Sequence, residues 1–363
     1  MISRRKLLIG GGVVALAGAA AYRSANTMGR ASDYADYTAR LRAVLAAQPG
    51  LPDLLRYATL APNGHNTQPW LFQIAAQHVA IRPDFSRRTP VVDPDDHHLY
   101  ASLGCAAETL AIAAAARGRP GELRFDGAGG NAIVFDYSAG AGVATPWFDA
   151  IPRRQSTRAE YDGRRLSASD LALLSAACAV PGVDAVLVTD KPMQRRVRDL
   201  VIAGNTTQLS DPAFMRELKS WLRFNRRAAM TRGDGLYGAT TGSPNLPTWL
   251  GARMFDLVFK AGAENDKYAR HIDSSAGVAV FCAAQADPEH WVLAGRACQR
   301  FALQATAMGL KTAFVNQPVE VAALRPELAA LAGMPGRRPD AVMRFGYGPL
   351  MPYSPRRAPP IIA

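Results

Sequence analysis

The chain has 363 residues, 48% apolar and 20% charged, which suffices for one large domain or two small ones around a sizeable core and excludes a disordered protein. The net charge is +12, but the arginines are scattered in pairs such as Arg87-Arg88, Arg226-Arg227 and Arg337-Arg338, with no run of five or six like charges. That distribution argues against nucleic acid as a partner. The four cysteines, Cys105, Cys178, Cys282 and Cys298, form no C-x-x-C pair, so zinc spacing is absent, and Cys105 and Cys298 in Ala-rich stretches read as buried free thiols.

The chain begins Ser3-Arg4-Arg5-Lys6-Leu7-Leu8, continues through an apolar, Gly-rich run to Ala21, and offers Ala19-Ala20-Ala21 as a small-residue cleavage site. A basic start, a moderate apolar run and such a site make a secretory leader, and the adjacent arginines point to the twin-arginine route. Residues 1–21 are therefore expected to be a twin-arginine signal. The translocase is then a partner during export, and the destination is the periplasm or cell envelope. Leu7 to Tyr22 is 16 residues, short of the ~20 a spanning helix needs. Membrane association through an uncleaved signal stays open.

Residues 22–363 read as a single domain in two halves, about 34–140 and about 150–357. Residues 23–52 run from a spacer into an amphipathic helix with Tyr37, Leu41, Val44 and Leu45 on one stripe. A helix around Leu54 to Ala58 leads through a polar loop into a strand from Trp70 to Ala75. A long small-residue helix follows, and a strand from Ala132 to Tyr137 closes the half. The second half repeats this order. Leu173-Leu174-Ser-Ala-Ala177 echoes Leu54-Leu55-Arg-Tyr-Ala58, and Pro181 precedes a strand at Ala185 to Val188 as Pro62 precedes Trp70. Residues 104–118 and 295–309 overlay without a gap, identical at six of fifteen positions, each opened and closed by glycine. Ala341 to Tyr347 is the closing strand. Two matches in the same order argue for internal duplication and an α+β fold. Residues 211–250 have no counterpart in the first half. With Trp221, Phe224, Tyr237 and Trp249 among Gly and Pro breaks, they are expected to form a lid.

Four segments carry chemistry. The loop Ala61-Pro-Asn-Gly-His-Asn-Thr-Gln-Pro-Trp70 gathers the amides of Asn63, Asn66 and Gln68 with His65, and Gly64 frees backbone N–H groups. That lining suits a flat heterocycle with carbonyls and ring nitrogens. Trp70 is expected to lock the next strand into the core. Arg153-Arg-Gln-Ser-Thr-Arg158 sets guanidiniums around a hydroxyl, as a terminal phosphate requires. In Gly309-Leu-Lys-Thr-Ala-Phe-Val-Asn-Gln-Pro318 a helix stops and a short strand ends at Asn316-Gln317. Arg344-Phe-Gly-Tyr-Gly-Pro349 runs into Ser354-Pro-Arg356-Arg357, a further candidate phosphate contact.

Together these segments resemble the nitroreductase family of FMN-dependent proteins over about residues 50 to 357. The Ala-Pro-x-x-x-Asn-x-Gln-Pro-Trp loop is the specific part and the Arg-x-Ser-x-Arg element moderately so. Residues 304–318 and 354–357 are most similar to the branch containing the mycobacterial dormancy-associated, Acg-like proteins. The resemblance implies a nitroreductase-like sheet flanked by helices, an FMN cofactor, and an electron-poor aromatic, quinone-like or related small molecule as substrate. By the same resemblance Arg154, Gln155, Ser156 and Arg158 hold the FMN phosphate and ribityl chain. Pro62, Asn63, Gly64, His65, Asn66 and Gln68 lie against the ring, with Asn316, Gln317, Arg356 and Arg357 as further contacts. Trp221, Arg223 and Asn225 of the lid are expected to close over the ring.

One departure organises the rest. In ordinary members the Arg element precedes the Asn loop in a short chain, and each flavin sits between two subunits. Here the first half keeps only the Asn loop and the second only the Arg element. The simplest physical arrangement is a fused pseudo-dimer with one complete FMN site across the internal interface. Two functions remain open: an oxidoreductase whose electron donor is unknown, or a protein that holds FMN under a lid without the usual NAD(P)H reductase activity. No catalytic acid or base is assigned. His97-His98 beside Asp93, Asp95 and Asp96 invites a metal reading, but adjacent His side chains diverge and no second cluster completes a site, so none is expected.

Overall fold

In the computed structural model, which describes residues 28–362, the elements follow in chain order. The first half contains α1 (Ala31–Leu41), α2 (Leu51–Ala58), β1 (Trp70–Ala75), β2 (His78–Pro83), α3 (His97–Ala116), β3 (Gly121–Asp126) and β4 (Ala132–Tyr137). Helices α4 (Pro146–Ala150) and α5 (Ala168–Ala177) lead to β5 (Val183–Val188). An insertion then carries α6 (Lys191–Ser210), α7 (Pro212–Trp221), β6 (Leu222–Arg223), α8 (Arg226–Arg232), β7 (Leu236–Tyr237), α9 (Thr248–Val258) and α10 (Ala261–Asp273). The chain finishes with β8 (Gly277–Ala283), α11 (Pro288–Ala307), β9 (Lys311–Phe314), α12 (Gln317–Glu320), α13 (Arg325–Leu331), β10 (Ala341–Gly346) and β11 (Ile361–Ile362). The leader lies outside the described residues.

The main strands form two sheets, ordered β11-β1-β2-β4-β3 and β5-β8-β10-β9. Apart from β11, which adds parallel to β1 through Phe72 and Ile361, both sheets are antiparallel and share one strand order. β1 corresponds to β5, β2 to β8, β4 to β10 and β3 to β9. The fold is thus α+β, two sheets with helices packed between and around them. Strands β2, β3 and β8 are not among the expected strands; the strand expected to end at Asn316-Gln317 is β9, which ends at Phe314.

Helices α3 and α11 cross at the centre, and glycine sets how closely. A Cβ on Gly104 would overlap the Val292 carbonyl, and one on Gly295 would overlap the Ala101 carbonyl. The two contacts are reciprocal: each glycine meets the residue three places before the other. That is the self-complementary pattern of a two-fold interface, here within one chain. Polar bonds then fix the register. Gln299 Nε2 donates to Thr109 Oγ1 at 2.8 Å, and Glu108 is paired by Arg296 and Arg300. Helix α3 is long and apolar enough to cross a membrane, but it is largely buried in the fold, as a helix apolar on all sides is in a core.

Two expectations need correction. Helix α1 stops at Leu41, because the Arg56 guanidinium accepts the role of C-terminal cap by donating to the carbonyls of Leu41 and Ala43. Val44 is therefore 74% exposed on coil, while Leu45 still reaches the core. The insertion is also larger than residues 211–250. β1 and β2 are joined by Ala76 and Gln77, whereas the whole of residues 189–276 lies between β5 and β8. Helices α6 and α10 read as ordinary amphipathic helices, which hid their membership in the insertion.

Candidate functional site

A cavity of about 590 Å³ opens between the halves, within the roughly 300–1,000 Å³ range of small-molecule sites. Its floor comes from Pro62 to His65, the N-terminal turns of α3 at His98 and Ser102, and Ser156 with Arg158. Its side wall holds Ala313 to Gln317 and Glu320. The insertion supplies an apolar roof that includes Phe214, Leu218, Phe224, Phe255 and Phe259.

The Asn loop has a strained backbone: His65, Asn66 and Gln68 have φ of 44°, 55° and 55°. It is held by its own side chains. Asn63 Oδ1 accepts the Gln68 N–H at 2.8 Å, and the Gly64 N–H donates to Ser102 Oγ at 3.3 Å, so it is not free as its glycine suggested. A Cβ at Gly64 would meet nothing within 4 Å, which leaves open space above that residue. His65 Nδ1 is buried with no hydrogen-bond partner. Burial, reinforced by Arg158 and His98, pushes the His65 pKa down to about 4, so the ring is neutral near pH 7.

Ser156 is brought to the cavity because its segment bridges to Thr312 in parallel, alongside β9, and the Thr157 N–H donates to the Thr312 carbonyl at 2.8 Å. Arg158 lines the cavity, and among the described residues its guanidinium has no hydrogen-bond or ion-pair partner. Burial lowers its pKa, while the Tyr268 and Tyr161 hydroxyls favour its charge. Arg344 also reaches the wall, but its guanidinium donates to the carbonyls of His271, Thr157 and Ala159. Asn316 Oδ1 accepts the Val342 N–H at 2.8 Å, and Gln317 opens α12 at the cavity edge.

Of the residues singled out in the sequence, Pro62, Asn63, Gly64, His65, Ser156, Arg158, Arg223, Asn316 and Gln317 share this cavity. The others stand behind it. Arg154 donates to the Leu60 carbonyl at 2.9 Å, and Gln155 bonds the Met351 backbone through both ends of its amide. Asn66 Nδ2 donates to the carbonyls of Gly235 and Pro355, and its Oδ1 accepts from Arg356. Gln68 Nε2 donates to the Gly233 carbonyl, and Arg357 closes on Gln68. The amides of Asn66 and Gln68 thus clasp the Gly233-Asp-Gly235 turn of the insertion. Asp234 in that turn pairs with both Arg223 and Arg87. Trp221 stacks beside Arg87 and Arg223, and Asn225 caps α8 while donating to Leu246 and Thr248. Trp70 is fully buried at the start of β1.

The cavity also gathers polar groups that the sequence did not single out for it. His98 Nε2 lies 3.6 Å from Glu320 Oε1, and Gln208 donates to the other carboxylate oxygen. Burial raises the Glu320 pKa and lowers that of His98. Lys267, Tyr268 and His271 come from α10. Among the described residues no group of three His, Cys, Asp or Glu side chains is arranged to hold a metal. Asp93 instead accepts the N–H groups of His98 and Leu99, Asp95 pairs with Arg338, Asp96 with Arg88, and His97 Nε2 bonds Asp340 Oδ1 at 2.8 Å.

No protein-family profile matches the chain. It is 27% identical over 324 residues to a Mycobacterium tuberculosis (strain H37Rv) protein provisionally named NAD(P)H nitroreductase Rv3131, covering 84% of this chain and 88% of that protein. The counterpart in strain CDC 1551, MT3217, matches equally. Among solved structures, a nitroreductase with bound FMN from Desulfitobacterium hafniense is 16% identical, covers 60% of this chain and 95% of its own, and has a TM-score of 0.36. FMN-dependent nitroreductase NfnB from Mycobacterium smegmatis, in complex with NADPH, is 12% identical over 56% of this chain and 87% of its own, with a TM-score of 0.37. Likeness to structures at that level carries no argument; the relatives of higher identity are those from Mycobacterium tuberculosis.

Proposed function

We propose that this protein is an FMN-dependent oxidoreductase of the nitroreductase type, with one flavin site between two diverged halves fused as a pseudo-dimer. The carrying observation is the pair of unpartnered groups on one cavity floor, the Arg158 guanidinium and His65 Nδ1, beside the open face of Gly64. A partly exposed guanidinium on a cavity floor with no partner among the described residues is a ready site for an anion. The lining fits FMN: Arg158 and the Ser156 hydroxyl suit its phosphate, and the open face of Gly64 beside the His65 ring and Asn316 suits a flat, polar-edged ring. The M. tuberculosis relatives, spanning most of both chains and named for NAD(P)H nitroreductase activity, support the same reading.

Bound FMN would supply reversible two-electron redox chemistry. This chain's residues bind, orient and seal. Arg158 neutralises the phosphate charge. The strained His65 to Gln68 backbone is fixed by the lid turn that Asn66 and Gln68 clasp. The aromatic roof excludes water and admits an apolar, planar reactant such as an electron-poor aromatic or a quinone. Burial shifts His98 and Glu320, which meet at the cavity wall, each toward its own neutral form. The leader reading adds export by the twin-arginine route, which accepts folded, cofactor-bearing chains.

An absorbance spectrum of the purified chain tests the reading. Bands near ~370 and ~450 nm that survive heat release as free FMN, at one flavin per chain, are expected. A chain that stays colourless after mixing with FMN would overturn the flavin site, and two flavins per chain would overturn the single-site pseudo-dimer. Bleaching by NAD(P)H separates a reductase from a protein that stores flavin under its lid.

A further inference from the structure

The outer wall of the cavity is also an exposed apolar surface. Helix α9 turns Gly251 and Phe255 inward, where Gly251 packs on the Phe224 ring, and both line the cavity. On its outer side Trp249, Leu257 and Val258 are 65%, 66% and 60% exposed. Trp249, Arg253 and Leu257 follow at i, i+4 and i+8, so they form one stripe. Met254 and Val258 do both things, facing solvent and lining the cavity, which makes the apolar surface continuous with the cavity mouth. Arg253 and Lys260 flank it, both exposed, and the acid on the same helix, Asp256, is neutralised by Lys219.

The neighbourhood supplies a second, independent observation. Residues 1–27, with the apolar run Leu7 to Tyr22, join the described structure at Met28, whose carbonyl accepts the Arg227 N–H of α8 at 2.9 Å. The N-cap of the same helix, Asn225, donates to Leu246 and to Thr248, the first residue of α9. Met28, to which the apolar run connects, and the exposed apolar helix α9 therefore lie at one corner of the described structure.

We propose that α9 is a membrane-docking surface for an anionic phospholipid bilayer, and that the cavity takes its apolar reactant from the bilayer through the mouth at Met254 and Val258. Trp at the headgroup level, Leu and Val below it and two cations facing anionic lipid are the composition an interfacial helix needs. Four exposed apolar side chains grouped at a cavity mouth mark an interaction site more often than an ordinary water-facing surface. The part that concerns the reactant rests on the oxidoreductase reading; the docking part does not.

The test uses the full chain and vesicles of phosphatidylglycerol and phosphatidylcholine in equal parts, with bromine-labelled acyl chains. The Trp249 signal is taken as wild type minus W249F, since the chain has five tryptophans. Bromolipid is expected to remove most of the Trp249 emission, and R253Q/K260Q to restore much of it, while an apolar N-terminal run alone would tether the chain and leave Trp249 unquenched. An unquenched Trp249 overturns the proposal. So does a Trp249 that is already shielded without vesicles in a species sedimenting as a dimer, which would make α9 a contact between copies. FMN content measured on the same samples separates the two readings: flavin without quenching leaves the oxidoreductase standing, and quenching without flavin leaves only the docking surface.

Discussion

The two halves share one strand order and differ most in two connections: β3 and β4 are joined by residues 127–131, but β9 and β10 by residues 315–340, which carry α12 and α13. Between β1 and β2 the chain turns in two residues, with Gln77 at a φ of 56°, and between the equivalent β5 and β8 it inserts residues 189–276. The first half is therefore a bare scaffold that lends the Asn loop. The second covers that loop with a roof and lays Ser156 and Arg158 beside it. The difference teaches that the site does not come from the sheets, which are alike, but from which side chains the second half leaves without a protein partner.

The largest effect should come from breaking what the halves have in common. Gly104→Ala places a methyl in the Val292 carbonyl and forces α3 and α11 apart, for a loss of about 3 kcal/mol in stability, read by denaturant unfolding. Gly295→Ala should cost about the same, because its contact with Ala101 is the reciprocal one. Once the first change has separated the helices, the second meets less resistance, so the double variant should cost clearly less than the sum. Full additivity would mean that the two contacts do not form one interface.

Next comes the clamp that ties the insertion to the first half. Asp234 pairs with Arg87 of the first half and Arg223 of the insertion, with all three side chains mostly buried. Asp234→Asn leaves two cations without their partner and should cost about 2 kcal/mol, less than a fully buried pair because some solvent reaches it. Release of bound flavin, followed by its fluorescence, should speed up by roughly tenfold as the Gly233-Asp-Gly235 turn loosens. A lower melting temperature with unchanged release would assign the clamp to folding alone.

A third change separates the site from the scaffold. Among the described residues the Arg158 side chain makes no hydrogen bond, so Arg158→Gln should leave stability unchanged or improved while weakening FMN binding about tenfold to a hundredfold. Arg154→Gln, removing the donor to the Leu60 carbonyl, should do the reverse. If both variants lose flavin equally, the partition between cavity and backing residues is wrong.

That partition marks how far the sequence could be read. The matched helices α3 and α11 were legible because their close crossing demands glycine at Gly104 and Gly295 and leaves a pattern. Arg158, Ser156 and the Pro62 to His65 loop were legible because few residue types make such a lining. What the sequence could not say was which amides face inward. Asn66 and Gln68 have the same chemistry as Asn63, and only the position of the Gly233 to Gly235 turn decides that they clasp the insertion. Nor could it give His98 and Glu320, which are 222 positions apart and meet only because α12 packs beside the start of α3. The insertion's extent was missed for a similar reason: α6 and α10 are ordinary amphipathic helices, and nothing local says that they interrupt a sheet.

The smallest expected effect is a slope. His65 is held neutral, with its pKa lowered to about 4 by burial and by Arg158 and His98. Below the unfolded value near 6.5 the unfolded chain binds a proton that the folded chain refuses, so stability falls as pH drops from about 6.5 toward 4 and is recovered as pH rises. His97 and His271, both lowered to about 3, act in the same direction. Asp340 opposes them, because its carboxyl is raised to about 7 and loses stability for the fold as pH climbs toward that value. His65→Gln should therefore flatten the acid limb by less than one proton, under about 1.4 kcal/mol per pH unit, in melting curves taken from pH 4 to 7. In Arg158→Gln the nearby positive charge is gone, so His65 should titrate closer to its ordinary value and the same limb should flatten without touching the ring. A limb unchanged in both variants would place His65 and Arg158 too far apart to sense each other, and the shared cavity floor would lose its electrostatic basis.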